Sequence, residues 1–315
     1  MANQPHRIIF MGTPEFAVPS LRALLAGPDQ VVAVVTQPDR PRGRGRKLTP
    51  PPVKTAALEA GVPVLQPASV RTPEFLNELK SYGPDLIAVT AFGRILPGAL
   101  LNMPPLGTLN VHGSLLPRYR GAAPIQWAIL NGDATTGITI MQMDEGLDTG
   151  DMLLSRALPI EPDDTAATLA TRMAELGGTL LCETLALLHQ GKLSATPQNE
   201  EQATAAPPLT KEQGLVDWNL PAEVLSCRVR GLDPWPTAYT FYKGLRLRLF
   251  SPSVTAGESY ETPGSVIRAD QQGLLIATGR NRLLIKEIQI EGGKRLDLQA
   301  FLQGRDLAVG TILGS

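Results

Sequence analysis

Asn110, His112 and Asp148 bring together an amide, an imidazole and a carboxylate. Those three groups could carry an acyl group from one nitrogen to another with neither a metal nor a nucleophilic serine. An amine attacking an acyl carbon creates a tetrahedral oxyanion and a positively charged nitrogen. The Asn110 amide and an Nε or Nδ proton of His112 could serve as oxyanion donors. Such donors are each worth about 100- to 1000-fold in rate. Asp148 beside His112 could hold the imidazole in its useful charge state and relay a proton between the two nitrogens. An α-amino nucleophile, with a pKa near ~8, has a neutral fraction at pH 7 and needs no covalent intermediate.

The chain has three histidines, so a catalytic imidazole has few candidates. His6 lies in a polar start expected to fray. His189 ends an apolar helical run just before Gly191, where a cation complements the helix dipole. His112 follows a strand-like run and leads into Gly113, which permits close approach of a ligand. Asn110 and His112 are two residues apart, so on a strand they share a face. Each has a plain competing assignment: His112 as a satisfied structural histidine, Asp148 as the side chain of an Asx-turn within Gly146-Leu147-Asp148-Thr149-Gly150.

The elements that must position these groups follow from short apolar runs. Arg7–Gly12, Val31–Thr36, Val62–Leu65, Leu86–Thr90 and Leu106–Val111 read as strands. Phe16–Leu25, Thr55–Glu59, Pro73–Lys80 and Ala122–Leu130 read as helices. The alternation predicts a Rossmann-like α/β domain with a mainly parallel sheet covered on both faces. Gly137–Met143 and Met152–Ile160 read as extended. Ala166–Leu188 reads as a long helix broken near Gly177-Gly178. Gly12-Thr13-Pro14 follows the first strand but lacks the glycine triplet of a dinucleotide fold, which argues against NAD or FAD.

Beyond Gly191 the texture changes. Residues 191–208 are rich in Ala, Thr, Gln, Glu and Pro with no apolar period, and read as an extended linker. Glycine-punctuated strands at Ala238–Tyr242, Leu245–Phe250, Ser265–Ile267, Leu274–Ala277 and Leu283–Ile290 then suggest a small β-barrel, with helices at Ala222–Val229 and Leu298–Leu302. The expected organisation is a catalytic domain over 1–190, a linker over 191–208 and a barrel over 209–315.

With 29 basic and 30 acidic residues, the chain has no global pull toward a polyanion, so any such partner must meet a local patch. One exists: Arg40, Arg42, Arg44, Arg46 and Lys47 fall in a stretch too rich in Pro and Gly to be helical. A solvated mobile loop is the plain assignment; a flexible arm that grips RNA phosphates is the functional one. No apolar run is long enough to span a membrane and no signal peptide is read at the start, so a cytoplasmic protein is expected. Cys182 and Cys227 lie in apolar helical patterns and are expected as buried, reduced thiols.

With those residues in hand, the chain resembles the methionyl-tRNA formyltransferase family. The matching runs are Arg7–Phe16, Thr36–Leu48, Asn110–Gln126 and Thr139–Asp151, followed by Val216-Asp217-Trp218 and Asp233-Pro234-Trp235-Pro236. The resemblance covers nearly the whole length. It implies formyl transfer from 10-formyltetrahydrofolate, without a metal, to the amino group of methionyl initiator tRNA. It implies catalytic roles for Asn110, His112 and Asp148. Ser114, Leu115, Leu116 and Pro117 would line the folate site, with Phe92 and Gly93 near the pterin. Arg40, Arg42, Arg44 and Lys47 would meet the acceptor end of the tRNA, Arg44 first. The barrel resembles an oligonucleotide-binding fold, with Arg246, Arg248, Arg280 and Arg282 as candidate contacts. A monomer is expected. Sugar-nucleotide formyltransferases and formyltetrahydrofolate hydrolases share the Asn-x-His run and are the rival readings.

Overall fold

The structure, a computed structural model, describes residues 4–42, 47–257 and 260–314. Its strands are β1 (Arg7–Gly12), β2 (Gln30–Val35), β3 (Arg40–Arg42), β4 (Lys47–Thr49), β5 (Val64–Leu65), β6 (Leu86–Thr90), β7 (Thr108–His112), β8 (Arg120–Gly121), β9 (Thr135–Gln142), β10 (Met152–Pro159), β11 (Ala205–Ala206), β12 (Tyr239–Tyr242), β13 (Leu245–Thr255), β14 (Val266–Asp270), β15 (Gly273–Ala277), β16 (Arg282–Ile290) and β17 (Leu296–Asp297). The α-helices are α1 (Val18–Ala26), α2 (Pro52–Glu59), α3 (Pro73–Ser81), α4 (Gly98–Leu101), α5 (Pro124–Leu130), α6 (Ala166–His189), α7 (Ala222–Gly231) and α8 (Leu298–Leu302).

Two compact units result. One comprises residues 1–121, 136–158 and 170–206, the other 122–135, 159–169 and 207–315. The first holds a sheet in the order β10-β9-β7-β6-β1-β2-β5. The pairs β1–β2, β1–β6, β6–β7 and β2–β5 are parallel, and β7–β9 is antiparallel. Every residue of β6 and all but the first of β1 are buried, so both faces of the central strands are covered and the strands read as continuous apolar runs. Gly12 ends β1 where a Cβ would lie 2.8 Å from Phe10 Cε1 and 2.9 Å from the Thr90 carbonyl. It is a packing glycine in a βα turn.

Three expectations need correction. Helix α6 is continuous through Gly177-Gly178. Those glycines are contact points: a Cβ on Gly177 would lie 2.8 Å from Val111 Cγ1, and one on Gly178 2.9 Å from the Pro19 carbonyl and 3.3 Å from Ala23 Cβ. Close packing outweighs their poor helix propensity. Gly178→Ala should therefore destabilise by about 1–3 kcal/mol, because a backbone carbonyl cannot rotate away. A lowered urea midpoint is the expected measurement, and an unchanged one would show that α1 yields freely. His6 does not fray either. Its N–H donates to Asp29 Oδ1 at 2.8 Å, and its ring stacks on His189 at 4.0 Å between centroids. His189 Nε2 in turn lies 2.8 Å from Asp29 Oδ1. Finally, Cys182 and Cys227 are free but half-buried rather than buried; burial still pushes the Cys182 thiol up.

The second unit carries an antiparallel sheet in the order β12-β13-β16-β15-β14, with β17 paired to β16. Its core gathers Trp218, Leu225, Val229, Leu247, Leu249, Ile276, Ile285 and Phe301. Trp218 Nε1 donates to Thr240 Oγ1 at 3.1 Å, which satisfies the indole in that core. Among the described residues no helix is long and apolar enough to cross a membrane.

Candidate active site

Strand β7 presents Asn110 and His112 on one face, while Val111 between them packs the other way toward Gly177. Asn110 is half-buried and aligned with Val89 on β6 and Met141 on β9. Its amide has no side-chain hydrogen bond among the described residues. His112 is 5 % exposed. Its Nε2 lies 2.9 Å from the Tyr119 carbonyl. A carbonyl only accepts, so Nε2 carries the proton and donates. Of the two ring nitrogens left open by the sequence, Nδ1 is the one free to act. It lies 3.7 Å from Asp148 Oδ1, an approach rather than a formed hydrogen bond.

Asp148 sits at φ +55°, a left-handed conformation that Asp tolerates better than most residues. Its Oδ2 accepts the Gly121 N–H at 2.8 Å. The Asx-turn of this loop belongs to a different residue. Asp144 Oδ1 accepts from the Gly146 N–H at 3.1 Å and from Thr149 Oγ1 at 2.8 Å. The Asp148 carboxylate is thereby left to face the imidazole. Gly150 is required where it stands, since a Cβ there would lie 1.8 Å from the Gln142 carbonyl.

The Ser114–Pro117 turn is tightly knit. Ser114 is fully buried and its Oγ donates to the Arg118 carbonyl at 2.6 Å. Thr139 Oγ1 donates to the Ser114 carbonyl at 2.8 Å and accepts the Leu116 N–H at 3.1 Å. Leu116 is buried, whereas Leu115 and Pro117 are half-buried.

At the carboxyl ends of β1, β2 and β6, a cleft of about 390 Å³ is lined by Thr13, Pro14, Gln37, Arg40, Phe92 and Gly93 among others. Gln37 Nε2 donates to the Phe92 carbonyl at 3.1 Å and the Gly93 carbonyl at 3.2 Å, fixing one wall. This is the sheet edge where open α/β folds bind ligands. The basic stretch is a hairpin at its root: β3 and β4 pair antiparallel, Arg40 opposite Thr49 and Arg42 opposite Lys47. Arg44 and Arg46 lie outside the described residues, as do the side chains of Arg42 and Lys47. Exposed Arg40 donates to Gln37 Oε1 at 2.9 Å. Asp39 anchors the hairpin by accepting from Gln66 Nε2 and Lys54 Nζ, both at 2.9 Å, and those bonds, Gln66 first, hold its carboxyl below the usual range. Arg40 thus shares a cleft with Phe92 and Gly93, and β7 lies next to β6 in the sheet.

Several contributors had no signal in the sequence. The Tyr119 carbonyl and the Gly121 N–H act through the backbone, and their side chains give no hint of it. Gln198 and Thr204 sit in a stretch without periodicity. In the second unit, Arg246 stacks over the Tyr239 ring at 4.4 Å and Arg248 donates to Gln289 Oε1 at 3.2 Å, whereas Arg280 pairs with Glu223 at 3.6 Å. Among the described residues no group of three or more His, Cys, Asp and Glu side chains is disposed to hold a metal.

The formyl transferase family model matches residues 6–185, and the model of the formyl transferase C-terminal domain matches residues 208–306. A methionyl-tRNA formyltransferase of Desulfotalea psychrophila is 60% identical, the match covering 98% of this chain and 95% of that protein. The chain belongs to the methionyl-tRNA formyltransferase family. The enzyme of that name from Geobacter sulfurreducens is 54% identical over 98% of this chain and 96% of its own length. Among solved structures, the family's fold is seen in methionyl-tRNA formyltransferase from Clostridium thermocellum, with a TM-score of 0.58 at 16% identity over 91% of this chain and 100% of that one. HypX from Aquifex aeolicus, in complex with tetrahydrofolic acid, has a TM-score of 0.63 at 21% identity over 97% of this chain. This chain spans about half of HypX, 50% of its length.

Proposed function

We propose that this chain transfers the formyl group of 10-formyltetrahydrofolate to the α-amino group of methionyl initiator tRNA. The observation that carries this reading is the His112 Nδ1 approach of 3.7 Å to Asp148, beside an Asn110 amide with no side-chain partner among the described residues. The 60% identity to a methionyl-tRNA formyltransferase supports the choice of donor and acceptor. The folate supplies the formyl carbon and, after transfer, leaves as tetrahydrofolate. Asn110 donates its amide to the oxygen that becomes anionic as the amine attacks. His112, its Nε2 proton held by the Tyr119 carbonyl, presents Nδ1 to the reacting groups, and the Asp148 carboxylate faces that nitrogen. Asp148 then takes up the proton released by the attacking amine, and one proton is returned to the departing nitrogen. One proton leaves the amine and one reaches the folate, so the step balances.

Leu115, Leu116 and Pro117, with Ser114 setting their turn, flank the folate, and Phe92-Gly93 lies toward the pterin. Arg40, Arg42, Arg44 and Lys47 receive the acceptor end of the RNA. Residues 1–190 act as the catalytic part and 191–208 as the linker. Residues 209–315 close into an oligonucleotide-binding barrel that adds electrostatic contacts through Arg246 and Arg248. The enzyme works as a cytoplasmic monomer.

The test is incubation of the purified chain with 10-formyltetrahydrofolate, with and without methionyl initiator tRNA. Tetrahydrofolate and formylmethionyl-tRNA appearing together support the reading. Folate turnover in the absence of tRNA would point instead to a hydrolase, and no turnover in either tube to an amino-sugar nucleotide acceptor. Arg44→Ala should weaken tRNA use more than folate binding and reduce the log–log salt slope of the tRNA KM by about one. An unchanged tRNA KM and salt slope would make the hairpin merely solvated.

A further inference from the structure

The stretch expected as an extended linker is tied to the His112–Asp148 pair from two sides. Gln198 is half-buried, and its Nε2 donates to two carbonyls of the Asp148 loop: Asp148 at 2.9 Å and Gly150 at 2.7 Å. Its Oε1 accepts from Arg120 Nε at 2.9 Å. Arg120 is gripped by both Glu200 oxygens at 2.8 Å, which pushes its guanidinium up and holds the Glu200 carboxyl down. The next residue, Gly121, gives its N–H to Asp148 Oδ2. On the other side, Thr204 Oγ1 accepts the Tyr119 N–H at 2.9 Å, and the Arg120 N–H reaches the Thr204 carbonyl at 2.8 Å. Tyr119 is the residue whose carbonyl orients His112. Beyond it, β11 pairs in parallel with β8, Ala205 opposite Arg120 and Ala206 opposite Gly121.

We infer that Gln198 and Thr204 are positioning residues for the formyl transfer proposed above, and that residues 196–206 form a strap completing the active site. Neither side chain touches the reacting groups. Gln198 ties the Asp148 and Gly150 carbonyls together and so sets the height of the Asp148 loop. Thr204 fixes Tyr119, and through its carbonyl the His112 tautomer and ring plane. Both residues are polar and act only by hydrogen bonding, so their loss removes little buried apolar area. The geometry between catalytic groups should change more than stability does.

The full chain is tested as wild type, Gln198→Ala, Thr204→Val and Thr204→Ser. Misplacing a catalytic group by about 1 Å costs on the order of 100-fold, so Gln198→Ala and Thr204→Val should lower kcat by about 10- to 100-fold with both KM values little changed. Thr204→Ser keeps the acceptor oxygen and should restore kcat. With three histidines in the chain, ring 15N spectra can follow His112 once a His112→Gln control assigns its signals. Thr204→Val should move the His112 Nε2 signal, whatever the acceptor substrate is, while leaving the fold's circular dichroism intact. Wild-type kcat in Gln198→Ala and Thr204→Val together with an unmoved His112 spectrum would overturn the inference. So would a loss of kcat that Thr204→Ser fails to rescue. Failure of the wild-type chain itself to make formylmethionyl-tRNA would instead overturn the functional reading, and the His112 spectrum would still judge the strap.

Discussion

Asp148→Asn should lower kcat by roughly 100- to 10,000-fold, the range for losing a positioned proton-transfer group, and leave folding intact. The substitution is close to isosteric. The carbonyl oxygen of the introduced amide can still accept the Gly121 N–H that Asp148 Oδ2 accepts at 2.8 Å. Gln198 can still hold the loop, because it bonds the backbone carbonyl and not the carboxylate. What disappears is the negative charge 3.7 Å from His112 Nδ1. The amide would then face Nδ1 in place of the carboxylate. The proposed acceptor for the amine's proton is lost with it. Steady-state kinetics beside a thermal melt would check this. A wild-type kcat in a correctly folded Asp148→Asn protein would remove the carboxylate from the mechanism and reduce Asp148 to a turn residue.

The groups proposed to carry this chemistry sit on local patterns that the sequence exposes. Asn110 and His112 are two apart at the end of an apolar strand run, and a strand's period of two puts them on one face whatever surrounds them. The parallel sheet was legible for a similar reason: doubly covered strands such as Leu86–Thr90 read as unbroken apolar runs. The failures are equally local in cause. Gly177-Gly178 looks like a break because propensity counts glycine against a helix, while the reason for these glycines, Val111 and the Pro19 carbonyl, lies more than sixty residues away in sequence. The hairpin of β3 and β4 is short and rich in Pro and Arg, with no alternation to betray it. The strap was invisible because Gln198 and Thr204 act on partners about 50 and 85 residues distant. A polar residue that bonds a remote backbone carbonyl has the same composition as one that bonds water.

Asn110→Ala should cost about 100- to 1000-fold in kcat, the magnitude expected for an oxyanion donor aimed before the reaction begins. The reason lies in what Asn110 does not do in the ground state. Its backbone is fixed in β7 between β6 and β9, while its amide spends no hydrogen bond on a neighbouring side chain among the described residues. Truncation therefore orphans no partner and opens a small gap on a half-buried face, so stability should fall little. Both KM values should also hold, because the interaction is made only as charge develops on the transferred oxygen. Asn110→Asp sharpens the test. It preserves size and strand pairing but sets a carboxylate against a developing oxyanion, so it should be worse than alanine. Were the amide only a spacer, aspartate would be the milder change. The double variant Asn110→Ala/Asp148→Asn should lose less than the product of the single losses. In the proposed mechanism both residues serve the same tetrahedral step, and groups that act as a unit are not additive. Fully multiplicative losses would mean that they act on different steps, leaving Asn110 with substrate placement rather than with the oxyanion.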